Sequence, residues 1–313
     1  YMTLQLCVAI CSGGSFLGFK CSKRACLYLD LESTERRPKN RLDQMLGKDT
    51  PKPDNLYIVT GDKEVRRISL GFETQIKQLL EEHPDIKLII VDVYQLIALP
   101  KKGVANAYEQ EYASLNILKK LVGDYNIGIM LITHNRKMKD GSDVFNNVSG
   151  STAMTGGMDS TWIIERDRNS KEATLHITGR DLGEKNLKIK FNTDNYQWEY
   201  MGTVDDVEQQ RQLESYNKSP ILKTIKKLLE VNDGRWEGSA TDLKNINHFI
   251  DDSVEKIGKF INNNEHFLLL YDNIKVKSRR TNRNKLYTFT YTTSSTNITD
   301  ITNTTNTQQE LNI

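Results

Sequence analysis

The chain lacks both a long apolar run and a strong net charge. Its 313 residues carry a formal net charge of +2, and no apolar stretch approaches the roughly 18 residues that a membrane helix needs. The first residues also lack the basic start and the cleavage site of a signal peptide. We therefore expect a cytoplasmic protein without membrane contact, long enough for two domains. Any charge that binds nucleic acid must be local.

Cysteine is scarce and confined to the start of the chain, at Cys7, Cys11, Cys21 and Cys26. These residues lie among Leu, Val, Ile and Phe and have no histidine beside them, which is a weak pattern for a metal site. We interpret them as small buried residues in a reducing compartment.

Apolar runs that alternate with helical patterns predict an α/β sheet in the first two thirds of the chain. Residues 1–11 are apolar on most faces and stop before Ser12–Gly–Gly–Ser15, which predicts a buried helix ended by glycine. Further helices are predicted at about 72–82 and 108–123. The predicted strands, which become antiparallel toward the end, lie at about 26–31, 56–59, 87–92, 127–133, 160–165, 173–178 and 187–191.

The composition changes after Trp198. Residues 202–217 are polar, which is typical of a linker or a solvated connecting helix. Ser219 and Pro220 then provide a helix N-cap and a proline at the first helical position. Helices over about 221–229, 240–249 and 253–263, followed by strand-like runs at Leu268–Lys277 and Lys285–Tyr291, predict a winged-helix-like domain over residues 218–291.

The second domain has a local basic excess. Residues 218–287 contain 14 Lys and Arg against 9 Asp and Glu, an excess that can contact phosphates. A solvated helix surface explains much of it equally well. Residues 292–313 are mostly Thr, Asn, Ser and Gln, so we expect a disordered tail.

Two predicted strands end in carboxylates. The run Leu27–Glu32 includes Asp30 and closes with Glu32, and the run Leu88–Asp92 closes with Asp92. Ligands bind at the carboxyl edge of open α/β sheets, and a third run brings His134 to that edge. Taken together, these residues predict a nucleotide and metal site. Singly, such an acid can merely cap a helix, and such a histidine is often structural.

These motifs carry a family resemblance. The segment from Tyr1 to about Lys190 resembles the RecA-like core of AAA family ATPases related to plasmid RepA-type hexameric replicative helicases. The resemblance implies an α/β fold with a RecA-like ATPase core over residues 1–201. The matching residues are Phe16–Lys20, Leu27–Glu32, Asp92–Leu96, Thr133–His134, Gly150–Ser151, Met158–Asp159 and Gly179–Asp181.

The resemblance also implies roles for single residues, with ATP and Mg²⁺ as cofactors. Glu32 would be the catalytic glutamate, with Asp30 as a supporting acid. Asp92 would be the Walker B acid that binds Mg²⁺, and His134 would sense the γ-phosphate. Arg180 would be an arginine finger that reaches the ATP of a neighbouring subunit.

One motif of the family is absent from the sequence. A Gly-x-x-x-x-Gly-Lys-Ser/Thr loop binds phosphates through its backbone N–H groups, and no Gly-Lys-Ser or Gly-Lys-Thr occurs in the chain. In the family this loop and the first strand precede the equivalent of Tyr1. We therefore expect an N-terminally truncated core and doubt that this polypeptide alone hydrolyses ATP.

Contact with DNA is predicted next to the His134 strand. Arg136, Lys137 and Lys139 are placed to follow phosphates in the channel of a ring, although an ordinary basic surface loop has the same composition.

Three functions fit the sequence. The first is an ATP-dependent DNA helicase or replication ATPase of a mobile element, which would form a hexameric ring, bind single-stranded DNA and meet a replication initiator or a primase. The second is a DNA-binding or assembly module that does not hydrolyse ATP. The third is a regulatory RecA-like ATPase without unwinding activity.

Overall fold

The computed structural model describes residues 1–61, 63–99, 107–135, 144–147, 152–282 and 284–292. These residues divide into two compact units, one formed by Tyr1–Val204 and one that begins at Asp205. Each unit has its own hydrophobic core. No helix among the described residues is long and apolar enough to cross a membrane.

The first unit combines two four-stranded sheets and one two-stranded sheet with five α-helices among its described residues. The helices are α1 (Met2–Ser12), α2 (Arg36–Leu46), α3 (Phe72–Glu82), α4 (Ala107–Tyr125) and α5 (Thr152–Gly157). The strands are β1 (Ser15–Phe16), β2 (Phe19–Lys20), β3 (Ala25–Asp30), β4 (Leu56–Thr60), β5 (Ile86–Asp92), β6 (Gly128–Ile132), β7 (Ser160–Glu165), β8 (Glu172–Gly179), β9 (Lys185–Asn192) and β10 (Gln197–Thr203).

The first sheet is parallel throughout, with the strand order β4-β3-β5-β6. Its strands are short runs rich in Leu, Ile and Val, as expected where both faces of a parallel sheet are covered. Alternate side chains point to opposite faces. Cys26 and Tyr28 enter a core with α1 and α2, whereas Leu27 and Leu29 enter a core with α3 and α4. The parallel sheet confirms the predicted α/β fold.

The second sheet is antiparallel, with the strand order β10-β9-β8-β7. Its alternate residues, such as Leu175 and Ile189, share a core with helix α1. The side-chain amide of Gln5 on α1 connects helix and sheet: its Nε2 donates to the carbonyl of Trp198 at 2.8 Å, and its Oε1 accepts from the backbone N–H of Trp198 at 2.8 Å.

Helix α1 ends where its sequence predicted. Gly13 follows it with φ of 69°, a left-handed conformation, and its backbone N–H closes the helix on the carbonyl of Ile10 at 3.2 Å. All four cysteines are free and buried, as predicted. The neighbouring Cys26 thiol and burial raise the pKa of Cys11 far above its ordinary value, so the thiol stays protonated.

The second unit builds a three-stranded antiparallel sheet against its helices. The helices are α6 (Val204–Lys218), α7 (Pro220–Val231), α8 (Ala240–Ile246), α9 (Val254–Asn263) and α10 (Glu265–Asp272), and the strands are β11 (Arg235–Ser239), β12 (Ile274–Arg280) and β13 (Lys285–Tyr291) in the order β11-β13-β12. The core joins Ile225 and Leu243 of the helices to Phe289 of the central strand. Ser239 and Asp242 form a capping box at the start of α8.

Several predicted elements need correction. The strand predicted over Leu268–Lys277 is wrong in its first half, because Leu268 to Asp272 are helical in α10 and the strand begins at Ile274. Strand β3 ends at Asp30, so Glu32 lies in the turn beyond it. Helix α6 occupies most of residues 202–217 and is largely exposed, which agrees with the solvated connecting helix, one of the two alternatives predicted there. The tail predicted as disordered lies outside the described residues from 293 onward.

Candidate functional site

Asp30 and Asp92 end neighbouring strands of the parallel sheet. They are paired in register, Asp30 as the last residue of β3 and Asp92 as the last residue of β5. Both therefore lie at the carboxyl edge, where α/β folds bind their ligands. The sequence predicts Asp92 as the acid that closes its strand, and the acid in register with it is Asp30, the predicted supporting acid, rather than Glu32.

The two carboxyl groups have different environments. Asp30 is buried, with 3% of its surface exposed, and its Oδ2 has no hydrogen-bond partner among the described residues. Burial raises the pKa of Asp30, and the nearby Asp92 raises it further, while the Ser33 hydroxyl and the charge of Arg41 act in the opposite direction. Asp30 is therefore a carboxyl group that would gain from a cation beside it.

Tyr28 holds Asp92 in place, and the sequence did not single it out. Its hydroxyl donates to Oδ2 of Asp92 at 2.7 Å. Burial, and then the charge of Asp92, raises the pKa of Tyr28 well above its ordinary value, so the hydroxyl remains a donor. The period of two along a strand could have identified Tyr28, because Tyr28 and Asp30 share one face of β3. Their register partners on β5 are Ile90 and Asp92.

Glu32 and His134 meet across the end of β5. Glu32 follows β3, and His134 follows β6, the strand on the other side of β5. Oε1 of Glu32 lies 3.7 Å from Nε2 of His134, with both side chains largely accessible to solvent. The contact thus brings together two of the predicted residues over the strand that carries Asp92.

The loops around this edge are fixed by close polar contacts. The backbone N–H of Gly61 donates to the carbonyls of Asp30 at 3.1 Å and of Ser33 at 2.9 Å. A Cβ at Gly61 would lie 2.1 Å from the carbonyl oxygen of Leu31, so only glycine fits against the turn that carries Glu32. Sequence reasoning missed this glycine because the approach is between distant backbone segments.

The end of β6 is held in a similar way. The side-chain amide of Gln95 donates to the hydroxyl of Thr133, the residue before His134. Gln95 lies in a 3₁₀ helix, Tyr94–Leu96, that follows β5. This hydrogen bond links the loops after β5 and β6 and thereby positions His134.

Arg180 lies apart from this group. Its backbone N–H donates to the carbonyl of Asp159 at 2.9 Å, and its Nη1 is 3.7 Å from Oδ1 of Asp159. Its Nη2 also donates to the carbonyl of Gly156 at 3.2 Å. The guanidinium is half-exposed at the end of β8, and its described contacts do not include Glu32, Asp92 or His134.

Other predicted residues fall outside the described part of the chain. Arg136, Lys137 and Lys139 lie outside it, and so do Gly150 and Ser151 of the family motifs. Contact of Arg136, Lys137 and Lys139 with DNA therefore stays a prediction from the sequence.

Comparison with known proteins agrees with the resemblance drawn from the motifs. Residues 1–140 match the AAA domain family. This AAA-matching segment includes Asp30, Glu32, Asp92 and His134, and the match confirms the resemblance to the AAA family. No curated protein matches the chain.

Similar solved structures include an ATPase domain that is 12% identical, with a TM-score of 0.46, covering 57% of this chain and 75% of that domain. A DnaB-like replicative helicase, described with its interactions with primase, is 13% identical with a TM-score of 0.46, covering 56% of this chain and 50% of that one. The RadB recombinase is 14% identical with a TM-score of 0.39, covering 57% and 79%.

The AAA match implies nucleotide binding with a metal ion, and the residues at the carboxyl edge fit such an ion. The unpartnered Oδ2 of Asp30 is an oxygen donor beside Asp92, and carboxylate oxygens are the ligands that Mg²⁺ prefers. Asp92 and Asp30 would hold the ion, directly or through water. Among the described residues, no group of three or more His, Cys, Asp or Glu side chains is arranged as a metal site by itself.

Proposed function

We propose that the chain supplies catalytic residues of an ATP-dependent DNA replication ATPase or helicase. The observation that carries the proposal is the arrangement at one sheet edge, where Asp30 and Asp92 are in register and Glu32 contacts His134 across the end of β5. The match of residues 1–140 to the AAA domain family supports it.

Each residue has a proposed task. Glu32 accepts a proton from the attacking water as the general base, and its carboxylate is accessible enough for water to reach it. His134 beside it donates to a phosphate oxygen and senses the terminal phosphate. Asp92, oriented by Tyr28, and Asp30 bind Mg²⁺, which when bound neutralises charge on the phosphates.

Arg180 is proposed to act between subunits. Its guanidinium is half-exposed and is held only by Asp159 and Gly156 among its described contacts. An arginine at such a position is available to stabilise charge on a nucleotide bound by an adjacent subunit. This role requires an oligomer, for which we propose the hexameric ring.

The remaining parts of the proposal concern partners and organisation. Single-stranded DNA would follow the loop that contains Arg136, Lys137 and Lys139. The helices and the three-stranded sheet of residues 218–291 would form a winged-helix-like domain, and a replication initiator or a primase of a mobile element would be the partner.

The decisive test measures ATP hydrolysis with and without DNA by the protein as its own gene encodes it. The Glu32→Gln variant is expected to lower kcat by roughly 10²- to 10⁴-fold, the usual contribution of a general base. Glu35→Gln is the matched control, since Glu35 is an exposed acid three residues further along. The proposal would be contradicted if the wild type hydrolysed no ATP in the presence of DNA. It would also be contradicted if the Glu32→Gln variant were as active as the control.

Mixing two inactive variants tests the role of Arg180. In rings that combine Arg180→Ala and Glu32→Gln subunits, some interfaces join an intact Glu32 to an intact Arg180 of the neighbour. Activity of the mixture above that of either variant alone is expected if the arginine acts across the interface. No recovery would show that Arg180 acts within its own subunit or not at all. A strand-separation assay on the wild type then distinguishes a helicase from a regulatory ATPase.

A further inference from the structure

The sheet of the second unit has two chemically different faces. Trp236, Val276 and Phe289 lie in one cross-strand row, and the ring centroids of Trp236 and Phe289 are 6.0 Å apart. This face packs on the helices of the unit. The opposite face, called the outer sheet face below, consists of Arg235 and Glu237 from β11, Lys275, Lys277 and Arg279 from β12, and Leu286, Thr288 and Thr290 from β13.

Charge of one sign dominates the outer sheet face. Glu237 is its single acid, and Oε1 of Glu237 accepts from Nη2 of Arg279 at 2.6 Å while Oε2 accepts from the Thr288 hydroxyl at 3.0 Å. The hydrogen bond from Arg279 is the main reason that the pKa of Glu237 is lowered. Arg235, Lys275 and Lys277 are exposed and have no ion pair among the described residues.

Some lysines on the helices of the same unit are paired with acids, whereas Lys223 and Lys227 of helix α7 are exposed and have no ion pair among the described residues. Lys226 pairs with Asp272, and Lys259 pairs with Glu255 at 2.8 Å. The outer sheet face is distinguished by position rather than by lysine content, because its cations lie side by side on one flat surface and only Arg279 forms an ion pair among the described residues.

The geometry of the face suits a chain of phosphates. Residues two apart on a strand point the same way and lie roughly 6.5 to 7 Å from each other, so Lys275, Lys277 and Arg279 form a row of cations. Thr290 is opposite Lys275 in register and adds a hydroxyl donor beside it, whereas the hydroxyl of Thr288, opposite Lys277, donates to Glu237. Such a row can follow the backbone of a nucleic acid.

The face also lacks aromatic groups that stack on unpaired bases. Its described residues include no aromatic side chain, because Trp236, Tyr287 and Phe289 all point to the core. Single-strand binding surfaces commonly depend on aromatic stacking. A face of cations and hydroxyls, whose one acid, Glu237, is already bonded to Arg279 and Thr288, instead fits the phosphates of a duplex, in which the bases are paired and stacked inside.

We infer that the outer sheet face of the second unit binds the phosphate backbone of double-stranded DNA. The choice of DNA over RNA rests on the proposed function, whereas the binding itself needs no ATP. The residues of the face are different from Arg136, Lys137 and Lys139, which are proposed to contact single-stranded DNA.

The experiment measures binding of the full chain to a labelled duplex at several salt concentrations by fluorescence anisotropy, without nucleotide. The slope of log K against log salt is negative, and the double variant Lys275→Ala/Lys277→Ala is expected to bring it about 2 closer to zero, because each lost phosphate contact removes about 1 from its magnitude. The matched control is Lys223→Ala/Lys227→Ala, which removes two exposed lysines from helix α7. The control is expected to keep the wild-type slope.

A second variant changes the affinity in the opposite direction. Glu237→Gln removes the single acid of the face but keeps groups that can bond to Arg279 and Thr288, so tighter binding is expected. A misfolded protein would not show this gain. The ATPase assay of the same variants is expected to be unchanged without DNA, which separates a failure here from a failure of the proposed function.

Four results would overturn the inference. Equal losses in the lysine variant and its α7 control would indicate only the overall charge. If the Lys275→Ala/Lys277→Ala variant bound the duplex as tightly as the wild type but aggregated, these lysines would instead protect the edge strand β12 from pairing with other chains. Preference for a single strand, or binding only to anionic vesicles or an acidic protein, would assign the face to another partner.

Discussion

At the scale of single residues, Asp92 depends on a tyrosine that is itself buried. Tyr28 is 1% exposed and donates to Asp92 at 2.7 Å. The predicted acids at the sheet edge are therefore supported by a neighbour on the next strand. A buried hydrogen bond to a charged group is also a measurable contribution to stability.

Replacing this tyrosine tests the contact. Tyr28→Phe is expected to lower the free energy of unfolding by about 1.5 to 3 kcal/mol, the contribution of a hydrogen bond to a charged group. The measurement is urea denaturation followed by circular dichroism. Tyr57→Phe on β4 is the control, since no described hydrogen bond involves its hydroxyl. Equal effects of the two variants would contradict the assignment.

Asp30 allows a prediction about pH. Because its pKa is raised in the folded state, the folded protein binds this proton more tightly than the unfolded chain, and ionisation of Asp30 costs stability. The cost is absent below the ordinary pKa of an aspartate and grows as the pH rises through the raised value. Asp30→Asn is therefore expected to stabilise the fold at pH 7 but not at pH 3.

Thermal melting across this pH range measures the effect, with Asp54→Asn, an exposed aspartate, as the control. A variant that is less stable than the wild type at pH 7 would show that the Asp30 carboxylate is favourably paired. The same substitution is expected to weaken Mg²⁺-dependent nucleotide binding, so stability and function would change in opposite directions.

At the scale of elements, helix α1 and strand β10 are joined by one side chain. Gln5 is buried and satisfies both backbone groups of Trp198. Buried backbone groups without partners are costly, so the amide matters more than its apolar surroundings suggest.

The Gln5→Leu variant leaves the N–H and the carbonyl of Trp198 without their side-chain partner. We expect the free energy of unfolding to fall by about 2 to 6 kcal/mol, or 1 to 3 for each unsatisfied group. The control is Gln78→Leu, the same change on the exposed face of α3. A loss as small as that of the control, measured by urea denaturation, would show that Trp198 finds other partners.

Elements with a strong local pattern were predicted well, and elements defined by distant contacts were not. The apolar runs of β3, β5 and β6 and the glycine after α1 identify those elements without further information. Residues Leu268–Tyr271 are apolar enough for a strand but form the end of helix α10, and the chain enters the sheet only after Asn273 adopts a left-handed φ of 54°. Such an apolar run does not distinguish a strand from a helix by itself.

At the scale of the whole molecule, each unit has a core of its own, so their stabilities are expected to respond separately. Leu243 is fully buried in the core of the second unit. Leu243→Ala is expected to destabilise that unit by about 2 to 5 kcal/mol, the cost of a core cavity. Hydrogen exchange measured by mass spectrometry should show faster exchange in β13 and unchanged exchange in β5.

The reciprocal variant is Leu121→Ala, which removes a fully buried side chain from α4 of the first unit. It is expected to accelerate exchange in β5 and not in β13. Equal acceleration in both strands by either variant would show that the chain unfolds as one cooperative body.

The sequence by itself determined the α/β character, the alternation of strands and helices, and the acids at the strand ends, because these follow from local apolar patterns and from the period of two along a strand. Only the tertiary structure decided that β3 and β5 are neighbours, that Glu32 meets His134 across β5, and that Tyr28 and Gly61 hold the edge. It also decided that the cations of β11 and β12 share one face. The physical reason is that strand order and register depend on packing between segments far apart in the chain, which no local pattern records.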